Sequence, residues 1–303
     1  MNRDRTDTLL GGLAALGVLA VLATALVAPK LALQGWLAAE IGWTLPSLGC
    51  LLLMLSRRLV GAPAIPAVTA AALTMPVAGL GFVPLLLLFP ANAAFAGRSL
   101  GYFVVWILLA RFPVAIIGLV LVTVSASLAS TDWLLALDPG FHSSVYGLMT
   151  LAQAALVGWA LATTSGEIAP PQAAGLMIGG IALWAYLCFC QYLVVWNANE
   201  PAEIAWVLRR QVGGWGTLYW ASSVLEGVVP FLFLLPRRMR ASRRAVTTLA
   251  GVLVVGGLAQ AAVLTLPAFG PSLAPGLAAL PAMLGLGGIW LLVFRRRLEA
   301  AHG

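Results

Sequence analysis

The sequence predicts an all-α polytopic membrane protein: one domain, residues 1–303, of about ten transmembrane helices in bundles, with both termini cytoplasmic. Three observations carry that prediction. Of the 303 residues, 61% are hydrophobic and 9% charged, whereas a soluble domain wets its surface with roughly 25% charged residues. Apolar runs of about 20 residues, the length that crosses a bilayer as a helix, recur from end to end. The net charge of +7 is segregated by side, as the positive-inside rule requires of a multi-pass chain. Soluble enzymes, nucleic-acid binders and secreted disulfide scaffolds are thereby excluded, and the lipid bilayer is the first partner.

The helices follow in order. Residues 9–28 form the first. Arg3 and Arg5 before it, with Ala23-Thr24-Ala25 within it, also suit a signal peptide. The run is about 20 residues, longer than a usual signal core, so it reads as a retained helix. Residues 35–55 and 65–89 form the next two, separated by Arg57 and Arg58. The stretch 93–130 is either one kinked helix or two helices joined at Arg111-Phe112-Pro113. One crossing strands Arg111 in hydrocarbon, at a cost of at least ~2.5 kcal/mol. Two crossings place 13 of the 17 basic residues on the cytoplasmic side: Arg3, Arg5, Arg57, Arg58, Arg111, five from Arg237 to Arg244, and Arg295 to Arg297. Charge therefore selects two. Residues 143–164, 173–196, 214–236, 245–266 and 273–294 complete the set.

Reactive side chains are few. The histidines are His142 and His302, the second in the tail, so no pair is available to hold a haem within the bilayer. Cys50, Cys188 and Cys190 lie in apolar runs and lack the spacing of a zinc or iron–sulfur site. The expectation is no metal site and no cofactor held covalently or by metal ligation.

With orientation assigned, Asp132, Asp138, Glu200 and Glu203 fall in outward-facing connections, and Glu40 falls near the outer end of the second helix. The densest polar stretch is Ser130 to Gly147. Asp138-Pro139 marks a turn, because proline disfavours the α conformation in the residue before it. His142 and Ser143 then open the next helix, where a hydroxyl can cap free N–H groups. Asp132, Asp138, His142 and Tyr146 at a bundle mouth are suited to relay protons or hold a polar ring. The competing reading is a hydrated interfacial loop anchored by Trp133 and Phe141. The seventh helix ends in Gln191, Tyr192 and Trp196. Gln191 lies roughly 7–8 Å below the outer end and requires a partner. Arg209 and Arg210 run against the charge bias, so they pair with acids or meet another subunit. Glu226 lies deep in the eighth helix with Pro230 four positions on, which removes the helical partner of the Glu226 carbonyl. An acid within the membrane is a functional candidate, and the competing reading is a neutral Glu bonded to a neighbouring helix.

Together these residues resemble one family. The run Asp132-Trp133, Leu137-Asp138-Pro139, Phe141, Ser143 and Tyr146-Gly147 is similar to the outer-loop signature of the second quinone-binding-type membrane subunit of alternative complex III. That subunit is a ten-helix relative of the polysulfide-reductase (NrfD-like) membrane proteins. Arg98 with Tyr102-Phe103 and Trp106 matches in register. So do Gln191-Tyr192 with Trp196, Ala198-Asn199 and Pro201, then Leu208-Arg209-Arg210 with Gly213-Gly214-Trp215, and Val229-Pro230-Phe231. The resemblance is strongest over 98–240. It implies a bacterial inner-membrane subunit of a respiratory quinol:cytochrome c oxidoreductase, not an enzyme by itself. Its partners would be a homologous membrane subunit, an iron–sulfur subunit and a multihaem cytochrome c. Asp132, Asp138, His142 and Glu226 would move protons, and Gln191, Tyr192, Trp196, Tyr146 and Arg98 would line a quinol mouth. The chain departs from the family at three places. The loop histidine is displaced to His142, the stretch Pro170 to Leu176 has no titratable group, and Gly256-Gly257-Leu258-Ala259-Gln260 lacks the family's histidine and acid. A continuous proton path through this chain alone is not expected. Two rivals stand beside this reading. One is a non-catalytic scaffold of the same complex. The other is a free-standing transporter, suggested by ten helices and a buried acid; the sequence shows neither the inverted repeat nor the paired broken helices that would support it.

Overall fold

A computed structural model describes residues 3–89 and 93–302. Among them, ten helical runs are long and apolar enough to cross a membrane. The first two are α1 (Arg3–Val27) and α2 (Pro29–Leu59). The third is broken into α3 (Pro66–Ala72), α4 (Met75–Phe82) and a 3-10 turn (Val83–Leu87). Each piece has a proline as its first or second residue (Pro66, Pro76, Pro84), which fits the first turn of a helix but has no N–H to continue one. Thr74 at the break donates to the Ala71 carbonyl (2.6 Å) and shares a hydrogen bond with Ser47 of α2 (2.7 Å), so the interruption is satisfied from within the bundle.

Next come α5 (Ala93–Arg111) and α6 (Ala115–Trp133), two separate helices turning at Phe112-Pro113 as the charge argument required. They are followed by α7 (Tyr146–Thr164) and α8 (Pro170–Ala198). A short helix, α9 (Pro201–Gln211), connects to the eighth crossing. That crossing is α10 (Gly213–Ser223), a π-helical turn (Val224–Val228) and α11 (Val229–Leu234). The single-turn α12 (Arg237–Ala241), then α13 (Arg243–Thr265) and α14 (Ala274–His302) complete the chain. Two crossings are thus interrupted, which hydropathy does not reveal.

The helices pack as two rings. In the first, α2, α3–α4, α5 and α6 contact one another in sequence and α6 closes on α2; in the second, α7, α8, α10–α11 and α13 do so, and α13 closes on α7. The interrupted crossings are second in one ring and third in the other, so they do not form an equivalent pair. The rings join where α2 lies against α7 and α13, α14 packs on α2, and α1 lies outermost on α14. At the central crossing, Gly49 of α2 meets the Ala154 carbonyl of α7 with no space for a Cβ. Cys50 donates to the Gly158 carbonyl at 3.2 Å in the same contact. Lipid supplies no hydrophobic drive between helices, so close approach at small residues does the work.

The two ends of the bundle differ. At one, Arg295 pairs with Asp7 (3.1 Å), His302 meets Glu167 (2.9 Å), and Arg57, Arg58 and Arg111 line one cavity. At the other lie Arg98, Asp132, Asp138, Gln191, Arg209 and Arg210. This sorting is the one that ten crossings demand.

Candidate functional site

The second end is built from two ion-pair clusters and a recess. In the first ring, Asp132 closes α6 and faces α5. Its carboxylate accepts from Arg98 Nε (2.9 Å) and Nη2 (3.0 Å), and from the Tyr102 hydroxyl (2.8 Å). Below it, Trp133 donates to Ser99 Oγ (3.0 Å), Trp106 donates to Ser125 Oγ (2.9 Å), and both indoles pack against Phe103. Arg98, Tyr102 and Trp106 recur every four residues along one face of α5. That spacing seats them together on α6, and the cluster stays partly wet, since the Arg98 side chain is 52% exposed.

The second cluster is buried. After α6, a 3-10 turn (Leu135–Leu137) delivers Asp138 beneath α9. Asp138 accepts from Arg209 Nη2 (2.5 Å) and from Arg210 Nη2 (2.9 Å). Trp206 and Arg210 are four apart on α9, and that face points inward. Arg210 is 1% exposed; it also donates to the Trp206 and Leu264 carbonyls, and its guanidinium lies 4.0 Å over the Trp206 ring. Phe141 stacks on the other side of that ring at 4.1 Å, with Tyr146 edge-on. Burial pushes the Arg210 pKa down, against the pull of Tyr146 and Asp138. The Arg209 and Arg210 pairing with an acid, expected from their place against the charge bias, is therefore realised through Asp138.

Beside this clamp is a recess of about 60 Å³ whose largely apolar lining, including Met149, Trp206, Val207 and Leu264, also carries Gln191, Tyr192, Arg210, Tyr219 and Gln260. Gln191 accepts from Ser143 Oγ, which also caps the start of α7 by accepting from the Tyr146 N–H (3.0 Å). The buried glutamine thus has its required partner. Cys188, Tyr219 and Gln260 line both this recess and an apolar groove of about 420 Å³ between α8 and α10–α11, walled by Trp184, Trp220 and Phe231. A recess with room for a few waters and several polar side chains therefore lies beside an apolar slot, with Cys188, Tyr219 and Gln260 as the shared wall.

Deeper, Glu226 sits in the π turn and is 0% exposed. The π turn is how the helix absorbs Pro230: the Val229 N–H reaches back to the Val224 carbonyl. Gln153 of α7 donates to Glu226 Oε2 at 3.4 Å, and Oε1 has no hydrogen-bond partner. Gly256 of α13 presses against the backbone of this turn where a Cβ would collide, and a Cβ at Gly257 would collide with Val157 of α7 beside the Glu226 carboxyl. Ser222, one turn above, donates to Gln260 at 2.5 Å. These are two separate bonded pairs, and no hydrogen bond joins them among the described residues.

The nine sequence candidates therefore do not form one site. Arg98 and Asp132 belong to the first ring, Asp138 and Tyr146 to the buried clamp, and Gln191 and Tyr192 to the recess. Glu226 lies below the recess. His142 is exposed outside the hydrogen-bonded groups, and Trp196 is 70% exposed and faces away from the recess. The expectation that Trp196 shares the mouth with Gln191 is corrected, because residues five apart on a helix project to different sides. Glu40 is likewise corrected. The helix begins at Pro29, not 35, which sets Glu40 about 16 Å along it. It is buried, accepts from Thr44 (3.1 Å), and has Oε2 against Gly81 with no hydrogen-bond partner. Gln153, Tyr219 and Ser222 are further polar groups that sequence reading passed over. The available signal was a polar residue within an otherwise apolar run. Among the described residues, no three His, Cys, Asp or Glu side chains are grouped to hold a metal. No family model matches the chain, and no curated protein matches it.

Proposed function

We propose that this chain is a membrane subunit of a respiratory quinol:cytochrome c oxidoreductase of the alternative complex III kind, in a bacterial inner membrane with both termini cytoplasmic. It takes part in quinol binding and proton release and leaves electron transfer to iron–sulfur and multihaem cytochrome c partners. The observation that carries this reading is the recess bearing Gln191, Arg210 and Gln260 directly beside the apolar groove, because a quinol is a polar ring on an apolar tail. The ring lies in the groove against Trp184 and Tyr219 with its hydroxyl edge at Gln260, and the tail leaves past Phe231 toward lipid. Oxidation releases two electrons to the partner subunits and two protons. Waters in the recess at Gln191 and Tyr192 take the protons toward the end that carries Asp138. Arg210, held by Asp138, gives that recess a polar wall. His142 and Asp132 receive protons only at the rim, after they leave the recess.

Purification from native membranes in mild detergent tests the assignment. The chain is expected to co-elute with c-type haem absorbance and extractable quinone; elution as a haem-free protein overturns it. Within the complex, Gln260→Leu is expected to lower quinol:cytochrome c turnover at least about tenfold with assembly intact, the cost of an unpaired polar edge on the substrate. A second reading, a non-catalytic scaffold of the same complex, is favoured by one observation. Asp132 and Asp138 each have both oxygens occupied by arginine. Unchanged turnover in Gln260→Leu selects it.

A further inference from the structure

The end of the molecule opposite the Asp138 clamp carries most of the arginines, and they are not equivalent. Arg237, Arg238 and Arg244 stand exposed at helix ends. Arg243 donates to the Gly166 carbonyl and Arg295 pairs with Asp7. Arg57, Arg58 and Arg111 instead line a cavity of about 490 Å³ between the last turn of α2, residues 62–65, α3 and the α5–α6 turn. No acid lines it, and none of the three arginines is ion-paired among the described residues. Arg57 donates through Nε (3.1 Å) and Nη2 (2.7 Å) to the Pro63 carbonyl, which fixes its guanidinium and leaves Nη1 uncommitted.

The deeper lining is apolar: Met54, one turn below Arg57 and Arg58 on α2, with Val68 and Leu73 of the third crossing. Val60 (75% exposed) and Phe112 (69% exposed) flank the arginines on the outside, as residues seated at a membrane interface do. Three guanidiniums at the water end and a hydrocarbon wall toward the membrane interior match one kind of occupant, an amphiphile with an anionic head. Positive-inside charge alone requires neither a cavity nor an apolar wall. Guanidinium groups engage phosphate oxygens in paired hydrogen bonds, and basic pockets between transmembrane helices bind anionic headgroups.

We propose that this cavity binds the phosphodiester headgroup of an anionic phospholipid, with Arg57, Arg58 and Arg111 on the phosphate oxygens and the first acyl carbons against Met54, Val68 and Leu73. Free inorganic phosphate shares the oxyanion chemistry but makes no use of the apolar wall.

The full chain in detergent micelles, supplied with phosphatidylglycerol or phosphatidylcholine, tests this by native mass spectrometry of retained lipid and by unfolding temperature. Wild type is expected to retain phosphatidylglycerol over phosphatidylcholine. R57Q/R58Q/R111Q should lose that preference by about tenfold or more, while R237Q/R238Q/R244Q, with the same charge loss at the same end, keeps it. Equal loss in both triple variants overturns the site. Millimolar inorganic phosphate that displaces phosphatidylglycerol and matches its unfolding shift overturns the lipid as occupant. Should the triple variant fail to fold, R111Q alone must weaken retention severalfold; unchanged retention overturns the proposal.

Discussion

Asp132 and Asp138 are six positions apart in one polar stretch, each held by arginine, and they occupy opposite regimes. Asp132 meets Arg98 at a wet rim, with side chains 19% and 52% exposed. Asp138 meets Arg210 in the interior, with side chains 3% and 1% exposed. The pairing chemistry is the same; what differs is the cover. The helix α9 lies across Asp138, whereas among the described residues the Asp132 pair keeps an exposed edge. At the rim, water screens the pair and would solvate either partner alone. Under α9, Arg210 depends on Asp138, because solvent is not available to replace it, while Asp138 is held by Arg209 as well.

The largest effect should come from Asp138→Ala, which leaves Arg210 buried without its counter-ion. Stability should fall by about 3–5 kcal/mol, read by unfolding in mixed micelles of increasing SDS content. A loss no greater than that of Asp132→Ala would break the comparison. The double variant Asp138→Leu with Arg210→Met removes both charges together. It should recover more than half of that loss, because the penalty belongs to the orphaned ion. A double variant as unstable as the single one would show that α9 docks through this ion pair's geometry and not through charge balance.

Trp133→Phe sharpens the other side of the comparison. It removes the hydrogen bond to Ser99 beneath Asp132 while keeping most of the aromatic packing. It should cost about 1 kcal/mol, so the wet cluster would draw more from its indoles than from its ion pair. Arg98→Ala should have the smallest effect of the four, and that effect should shrink further as salt is raised. The loss in Asp138→Ala should not respond to salt. An Arg98→Ala loss that exceeds that of Trp133→Phe, or that persists in high salt, would place the rim pair in the buried class.

Much of the fold was legible in advance. Arg111-Phe112-Pro113 marked a turn because a guanidinium cannot rest in hydrocarbon, and the chain does turn there. Gln191 required a partner and has Ser143. Ser143 caps α7 as its position suggested. The candidate site was less legible. Tyr192 and Trp196 looked like companions of Gln191, yet Trp196 faces outward, since sharing a helix with a buried residue does not set which side a ring projects to. Glu40 falls near a helix end when the helix is counted from the apolar run at 35, whereas proline in a first turn lets the helix start at Pro29. The breaks in the third and eighth crossings escaped hydropathy, which registers apolar content and not backbone continuity.

Class, number of crossings and the sorting of charges between the two ends are written in the local pattern of the chain. A bilayer imposes those rules run by run: length to span it, and charge kept out of its interior. Which carboxylate is buried, that Gln260 and Tyr219 wall both a recess and an apolar groove, and that three of the many arginines share a cavity follow from the packing of the helices alone. Those outcomes depend on where α9 lies and on which helices close each ring. They are set by contacts between residues far apart in the chain, which no local pattern records.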